Sequence, residues 1–227
     1  MNNLALSVRN LEKNFGALQA VKNLNLSITA GEFFGLLGPN GAGKTTSINM
    51  MSSLVRPSKG FASVFGLDVV KNPVKVREKI GLVFQDSALD RQLTVWENLR
   101  FAGLLHNLPF NEVSKKADYL LRLFNLFDKK NSPVAVLSGG QRRVLDIARG
   151  VMHEPNLLFL DEPTIGLDLP TRRNIWRFIN KLRAEFGMTV LLTTHYLEEA
   201  ENCDRVSFLK KGSIVLTGNP KNLVNDL

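Results

Sequence analysis

The stretch Phe33-Phe34-Gly35-Leu36-Leu37-Gly38-Pro39-Asn40-Gly41-Ala42-Gly43-Lys44-Thr45-Thr46 decides the fold. Its first five positions form a solid apolar run, the pattern of a strand buried on both faces. The next eight match the phosphate-loop pattern GxxxxGK[ST] at every required position. Glycines let the backbone turn sharply, so that successive N–H groups point inward at phosphate oxygens. A helix opening at Lys44 adds its partial positive charge. Lys44 is placed to bridge β- and γ-phosphates, and the Thr45 hydroxyl to ligate Mg²⁺. The plain alternative is a glycine-rich turn that happens to match, but Lys-Thr-Thr at a helix start after an apolar strand argues against it. The loop predicts nucleotide binding without saying which kind, since GTPases, kinases and motor proteins share it.

Working outward, Leu4–Val8 and Leu24–Ile28 alternate apolar and polar residues, the period of half-buried strands. Thr45–Leu54 reads as helix, and Phe61–Phe65 and Ile80–Phe84 as strands, the second followed by Gln85. Thr94 with Glu97 three residues on is a capping box. Val113, Ala117, Leu120, Leu121 and Phe124 share one helical face. This helical block ends around Lys129–Pro133. Strands resume at Leu157–Leu160 and Thr189–Thr193, separated by a helix whose stripe is Ile175, Phe178, Ile179 and Leu182. Val206–Leu209 and Ser213–Thr217, joined at Lys211-Gly212, predict a hairpin. The polar tail after Pro220 is short. Strands alternating with helices predict an α/β fold, a mostly parallel sheet with a small antiparallel β subdomain and a helical insertion.

Composition sets the outer limits. In 227 residues, 44% hydrophobic and 22% charged is ordinary for a globular chain. No apolar run approaches the length of a membrane span. The start, Met1-Asn2-Asn3-Leu4-Ala5, lacks the pattern of a secretory signal, so the chain is expected neither to cross a membrane nor to be secreted. Cys203, the single cysteine, excludes an intrachain disulfide and a Cys-rich zinc site. The net charge of +8 is scattered, Arg142-Arg143 included, and reads mainly as solvated surface. No basic run carries interleaved aromatics, so nucleic acid is not an expected partner.

Two further segments carry chemistry. Leu157-Leu-Phe-Leu-Asp161-Glu162 is an apolar strand ending in two carboxylates, where an α/β sheet meets its ligands. Asp161 is placed to face a metal, and Glu162 to polarise the attacking water; the same pair could instead cap a turn. Leu137-Ser138-Gly139-Gly140-Gln141 opens a helix with Ser138 at its N-cap. It offers a second anion site, or an ordinary capping turn. One triphosphate cannot fill both loops of one chain, so the second loop is free to serve a nucleotide held by another subunit.

These motifs together resemble the ATP-binding-cassette (ABC) ATPases over nearly the whole chain: the loop Gly38–Thr46, Gln85 after a strand, the signature Leu137–Gln141, Asp161-Glu162, Gly166-Leu167-Asp168 and His195. The resemblance implies a single domain over 1–227, with a P-loop core from 1–85 and 138–227 and a helical subdomain over 86–137. It implies a head-to-tail pair of subunits sandwiching ATP and Mg²⁺. Phe15 would stack on adenine, though it reads equally as a core aromatic. Gln85 would touch Mg²⁺ and the water, and Ser138, Gly139 and Gly140 would grip the partner's γ-phosphate. Asp168 would signal across the dimer, and His195 would contact the γ-phosphate. The family has proline directly after that aspartate; here Leu169 precedes Pro170, leaving the helix start open by one residue.

Val83–Leu99 and Thr194–Glu201 look like the ATPases of ABC-2-type exporters, whose cargoes include drugs, lipids and polysaccharides. The expected partners are a second, identical ATPase subunit and a separate transmembrane permease, at the cytoplasmic face of a membrane. A DNA-acting relative would carry a long coiled coil between Lys44 and Ser138, and no sustained heptads occur there. A soluble assembly or regulatory ATPase of the same family is the alternative reading.

Overall fold

The computed structural model describes residues 3–223; Met1, Asn2 and positions 224–227, where the polar tail ends, lie outside them. In chain order the elements are β1 (Leu4–Phe15), β2 (Leu18–Thr29), β3 (Phe33–Leu37), α1 (Lys44–Met51), β4 (Lys59–Val64), β5 (Leu67–Asp68), α2 (Pro73–Lys79) and β6 (Ile80–Val83). Then follow α3 (Val95–Leu105), α4 (Phe110–Leu123), α5 (Gly139–Gly150), β7 (Leu157–Asp161), α6 (Leu169–Phe186), β8 (Thr189–Thr194), α7 (Leu197–Ala200), β9 (Arg205–Lys210), β10 (Ser213–Gly218) and α8 (Pro220–Leu223).

One sheet has the order β10-β9-β3-β8-β7-β6, parallel from β9 to β6 with β10 antiparallel at the edge. The other is antiparallel, β2-β1-β4-β5. Every residue of β3, β7 and β8 is buried, because the parallel sheet is covered on both faces. Alternation then divides each strand between two cores. Phe34, Leu36, Leu157, Phe159 and Leu191 join α1 and the antiparallel sheet. Phe33, Leu37, Leu158, Leu160 and Leu192 join the helices α3 to α6.

The differences from expectation are local. The first two strands run well past the alternating segments, as a hairpin turning at Gly16 (φ 58°). Register shifts in their pairing between Val8 and Asn14 hide the period: only Leu11 of the polar run Arg9–Asn14 is buried. α1 stops at Met51, short of Leu54, where Ser53 takes a left-handed conformation (φ 65°). The helical block is two helices, broken by Asn107 (φ 57°) and Pro109, which caps α4. Thr94 and Glu97 form the expected capping box. α6 starts at Leu169 with Asp168 as N-cap, so the inserted leucine takes the first helical position and Pro170 the second. Lys211 (φ 49°) and Gly212 (φ 85°) turn the last hairpin.

Among the described residues, no helix is long and apolar enough to cross a membrane. A groove of about 230 Å³ lies between the block of α3 and the sheet, lined by Leu54, Leu82, Phe84, Leu105, His106 and His153. The rings of His106 and His153 stack there, centroids 3.6 Å apart. Burial first, then the neighbouring His106, push the His153 pKa down to about 4.

Candidate functional site

The parallel register brings four strand ends to one place. Leu37 lies opposite Thr194, Asp161 opposite Thr193, and Val83 opposite Leu160. Gly38, Gln85, Glu162 and His195 leave the sheet together, at the C-terminal edge where open α/β sheets bind ligands.

The phosphate loop is moulded by its neighbours. A Cβ on Gly38 would stand 2.2 Å from the Leu209 carbonyl, so only glycine fits. Gly43 adopts φ 104°, and a Cβ there would meet the Ala20 carbonyl at 2.6 Å. The last hairpin props the loop from below: Gly212 N donates to Ala42 O at 2.9 Å, and Lys22 N to Gly212 O at 2.7 Å.

Lys44, only 5% exposed, donates to Gly38 O at 2.7 Å and Pro39 O at 3.2 Å. Its Nζ also lies 3.0 Å from Glu162 Oε1. The other Glu162 oxygen, Oε2, is 2.9 Å from His195 Nδ1. Glu162 thus bridges the phosphate-loop lysine and the histidine, from a left-handed backbone at φ 45°. That backbone is not a plain turn cap: Glu162 N donates to Thr193 Oγ1 at 3.0 Å, and Thr193 Oγ1 donates to Asp161 Oδ1 at 2.5 Å. One threonine hydroxyl therefore sets both carboxylate residues. Sequence reasoning misses this residue, and its one visible signal is a threonine at a buried strand end.

A cavity of about 750 Å³ is lined by Phe15, Asn40, Gly41, Gly43, Lys44, Thr45, Thr46, Gln85 and Glu162. Phe15 is 51% exposed at its rim, with Lys13 Nζ 4.9 Å from the ring centroid, so the core reading of this aromatic is set aside. Thr45 and Gln85 are exposed and Asp161 is buried. No group of three His, Cys, Asp or Glu that could hold a metal occurs among the described residues. The nearby donors are instead a hydroxyl, an amide and one carboxylate, a hard oxygen set that suits Mg²⁺ when phosphate oxygens complete the shell.

Ser138 and its neighbours stand elsewhere. Ser138 Oγ accepts from Gln141 N at 3.2 Å, and Gln141 Oε1 accepts from Ser138 N at 2.9 Å, a reciprocal cap on α5. Gln141 is therefore occupied with its own helix, while Ser138 and Gly139 are exposed. Ser138, Gly140 and Gln141 line a different cavity of about 460 Å³, with Thr171, Asn174 and Arg177 and no phosphate-loop residue. Asp168 caps α6 with its backbone and leaves its side chain exposed, without a side-chain capping bond. Arg143 departs from the surface reading given to the basic residues, being 7% exposed.

A family model described as "ABC transporter" matches residues 21–165. The chain is 43% identical to a daunorubicin resistance ATP-binding protein of Streptomyces coeruleorubidus, over 98% of this chain and 71% of that one. It is 40% identical to Nod factor export ATP-binding protein I of Ralstonia nicotianae, over 96% of this chain and 68% of the relative. Among solved structures, a cassette of a Clostridium perfringens ABC transporter complex superposes with a TM-score of 0.91 at 32% identity, covering 99% of this chain and 92% of that one. A dimeric ATP-binding cassette in a post-hydrolysis state, bound to ADP and Pi, gives 0.85 at 31% identity, covering 95% and 98%.

Proposed function

This chain belongs to the ABC transporter family of ATP-binding subunits, and from that premise we propose how its residues hydrolyse ATP and pass the work to a permease. The protein is an ATPase that powers export. The observation that carries the assignment is the contact of Glu162 with both Lys44 and His195 at the open end of the sheet.

ATP lies along the cavity, with the adenine against Phe15 and the phosphates on the N–H groups of Gly38–Thr46. The γ-phosphate draws Lys44 Nζ away from Glu162, and the freed carboxylate takes a proton from the attacking water. Water oxygen bonds to the γ-phosphorus as the bond to the bridging oxygen breaks, and ADP retains that oxygen. His195 donates toward the γ-phosphate, and the Gln85 amide orients the water. Mg²⁺, held by Thr45, Gln85 and Asp161, supplies charge neutralisation at the phosphates when bound.

The signature residues Ser138, Gly139 and Gly140 complete the site of a second, identical chain, and Asp168 lies at that junction. ATP joins the two copies, and loss of the γ-phosphate removes the ligand they share. Block 86–137 carries the movement to a transmembrane permease, whose cytoplasmic helix seats in the groove beside Phe84 and Leu105. The subunit works peripherally, at the cytoplasmic face. The relatives' names, daunorubicin resistance and Nod factor export, favour export of a small organic cargo such as a drug.

Sedimentation velocity over a dilution series with Mg–ATP tests the pairing. A monomer-to-dimer shift on ATP addition is expected, with turnover tracking the dimer. Full-speed hydrolysis by a strictly monomeric chain overturns it.

A further inference from the structure

We propose that Arg143 is a positioning residue for hydrolysis, locking the signature helix of this chain to the two loops that present Gln85 and Glu162. This rests on the roles proposed above for those two residues.

Arg143 sits in the second turn of α5, five positions after Ser138. Its guanidinium is buried and forms no ion pair among the described residues, though the charges of Asp146, Asp161 and Asp86 act on it. Every hydrogen bond it makes ends on a backbone carbonyl. Nε donates to Pro163 O at 2.7 Å. Nη2 donates to Asp161 O at 3.0 Å and Glu162 O at 3.1 Å. Nη1 donates to Phe84 O at 2.5 Å and, more weakly, to Gln85 O at 3.4 Å.

One planar fork therefore joins the loop after β6 to the loop after β7, from a third element. A buried cation held by carbonyls alone is costly to desolvate, and burial lowers its pKa. A packed aliphatic side chain would seal the same space at less expense in free energy. What it could not do is hydrogen-bond five carbonyls from one planar group. The left-handed backbone of Glu162 is held on one side by Thr193 and on the other by this fork. The same helix supports the fork: Asp146 Oδ1 accepts from Ala88 N at 3.3 Å, and Arg149 Nη1 donates to Ala88 O at 3.1 Å. Three residues spaced by one turn on α5 thus grip residues 84–88. A displacement of the signature at the start of α5 is passed by this rigid link to Gln85 and Glu162 in the same chain. Ser138 meets the partner's nucleotide, so each chain's own hydrolytic residues are set by the site it completes across the dimer.

Among the described residues Arg143 makes no hydrogen bond or ion pair with the phosphate loop and does not line its cavity, which separates positioning from binding. In the full chain, Arg143→Lys keeps the charge but replaces the fork by a point-like ammonium. The expected result is a kcat lower by roughly ten- to a hundredfold, with KM for ATP within about twofold and the melting temperature little changed. Combined with Glu162→Gln, the lysine variant is expected to add less than its full separate loss, because part of its effect runs through the Glu162 carboxylate. A wild-type kcat in Arg143→Lys overturns the proposal. So does a loss of kcat that merely follows a rise in KM or a fall in melting temperature, or one that multiplies fully with Glu162→Gln. Arg143→Gln reports the same split if the lysine variant does not fold; failure of both to fold assigns Arg143 to stability alone and overturns the proposal. Wild-type turnover in Glu162→Gln by itself instead removes the role of Glu162 on which the proposal rests, a distinct outcome.

Discussion

Replacing Glu162 by Gln separates its two tasks, because the carboxylate both faces the reaction and restrains Lys44. The loss of the base is expected to lower kcat by roughly 10²–10⁴. The effect on binding runs the other way. At 3.0 Å, the Lys44–Glu162 attraction is about 5 kcal/mol for an effective dielectric of about 20. A glutamine oxygen in its place gives a hydrogen bond of about 2 kcal/mol to a charged donor. Most of the difference is offset, since the carboxylate released by ATP keeps its contact with His195 and gains the attacking water as a partner. A net gain of about 1.4 kcal/mol, a tenfold lower Kd for ATP, is expected. Without ATP the variant carries a buried Lys44 with no counter-charge, facing only neutral acceptors: the glutamine oxygen, Gly38 O and Pro39 O. It should lose about 2 kcal/mol, or roughly 4–8 °C in Tm, and recover it when ATP is added. Phosphate release, equilibrium titration with ATP and thermal unfolding read the three effects. Undiminished hydrolysis refutes the base; weaker ATP binding refutes the restraint.

Ser138→Ala removes the hydroxyl that caps α5 and meets the second nucleotide. We expect about 1 kcal/mol of lost stability, unchanged ATP binding to the monomer, and a dimer that fails to accumulate in sedimentation. Thr193→Val deletes the bond to Asp161 Oδ1 and one bond from Glu162 N, so the Mg²⁺ concentration for half-maximal turnover should rise about tenfold while ATP binding in EDTA stays level. His153 has a folded pKa of about 4 against an ordinary 6.5, so its contribution to stability is complete above pH 6.5 and is lost as the pH falls toward 4. His106, lowered by burial, acts in the same direction, and Lys116 also disfavours the charged form. His153→Gln should flatten the acid limb of a Tm–pH curve, and curves parallel to wild type contradict it.

The sequence carried what local chemistry dictates. Apolar runs marked β3, β7 and the middle of β8, because strands covered on both faces need not alternate. The loop pattern placed Gly38–Thr46 between a strand and a helix, and Thr94–Glu97 announced the start of α3. What escaped were features made by segments far apart in the chain. Arg143 looks like its neighbour Arg142 until the loops after β6 and β7 fold over it. Thr193 gains its role only through the register that sets it opposite Asp161. The long first hairpin hid because paired polar residues satisfy their backbone groups without any alternation of side chains. The break at Asn107 was invisible to a periodicity that merely resumes after it.

The phosphate loop rests on the last hairpin, through Leu209 behind Gly38 and through Gly212 beneath Ala42. On the ribosome, residues 38–44 emerge long before residues 209–212, and this order separates making the motif from shaping it. A nascent chain paused ahead of β9 carries the whole nucleotide fingerprint yet lacks the floor that gives it form. Affinity for ATP should therefore arrive late in synthesis and abruptly, sparing the cell a fragment that could engage ATP before its partner surfaces exist.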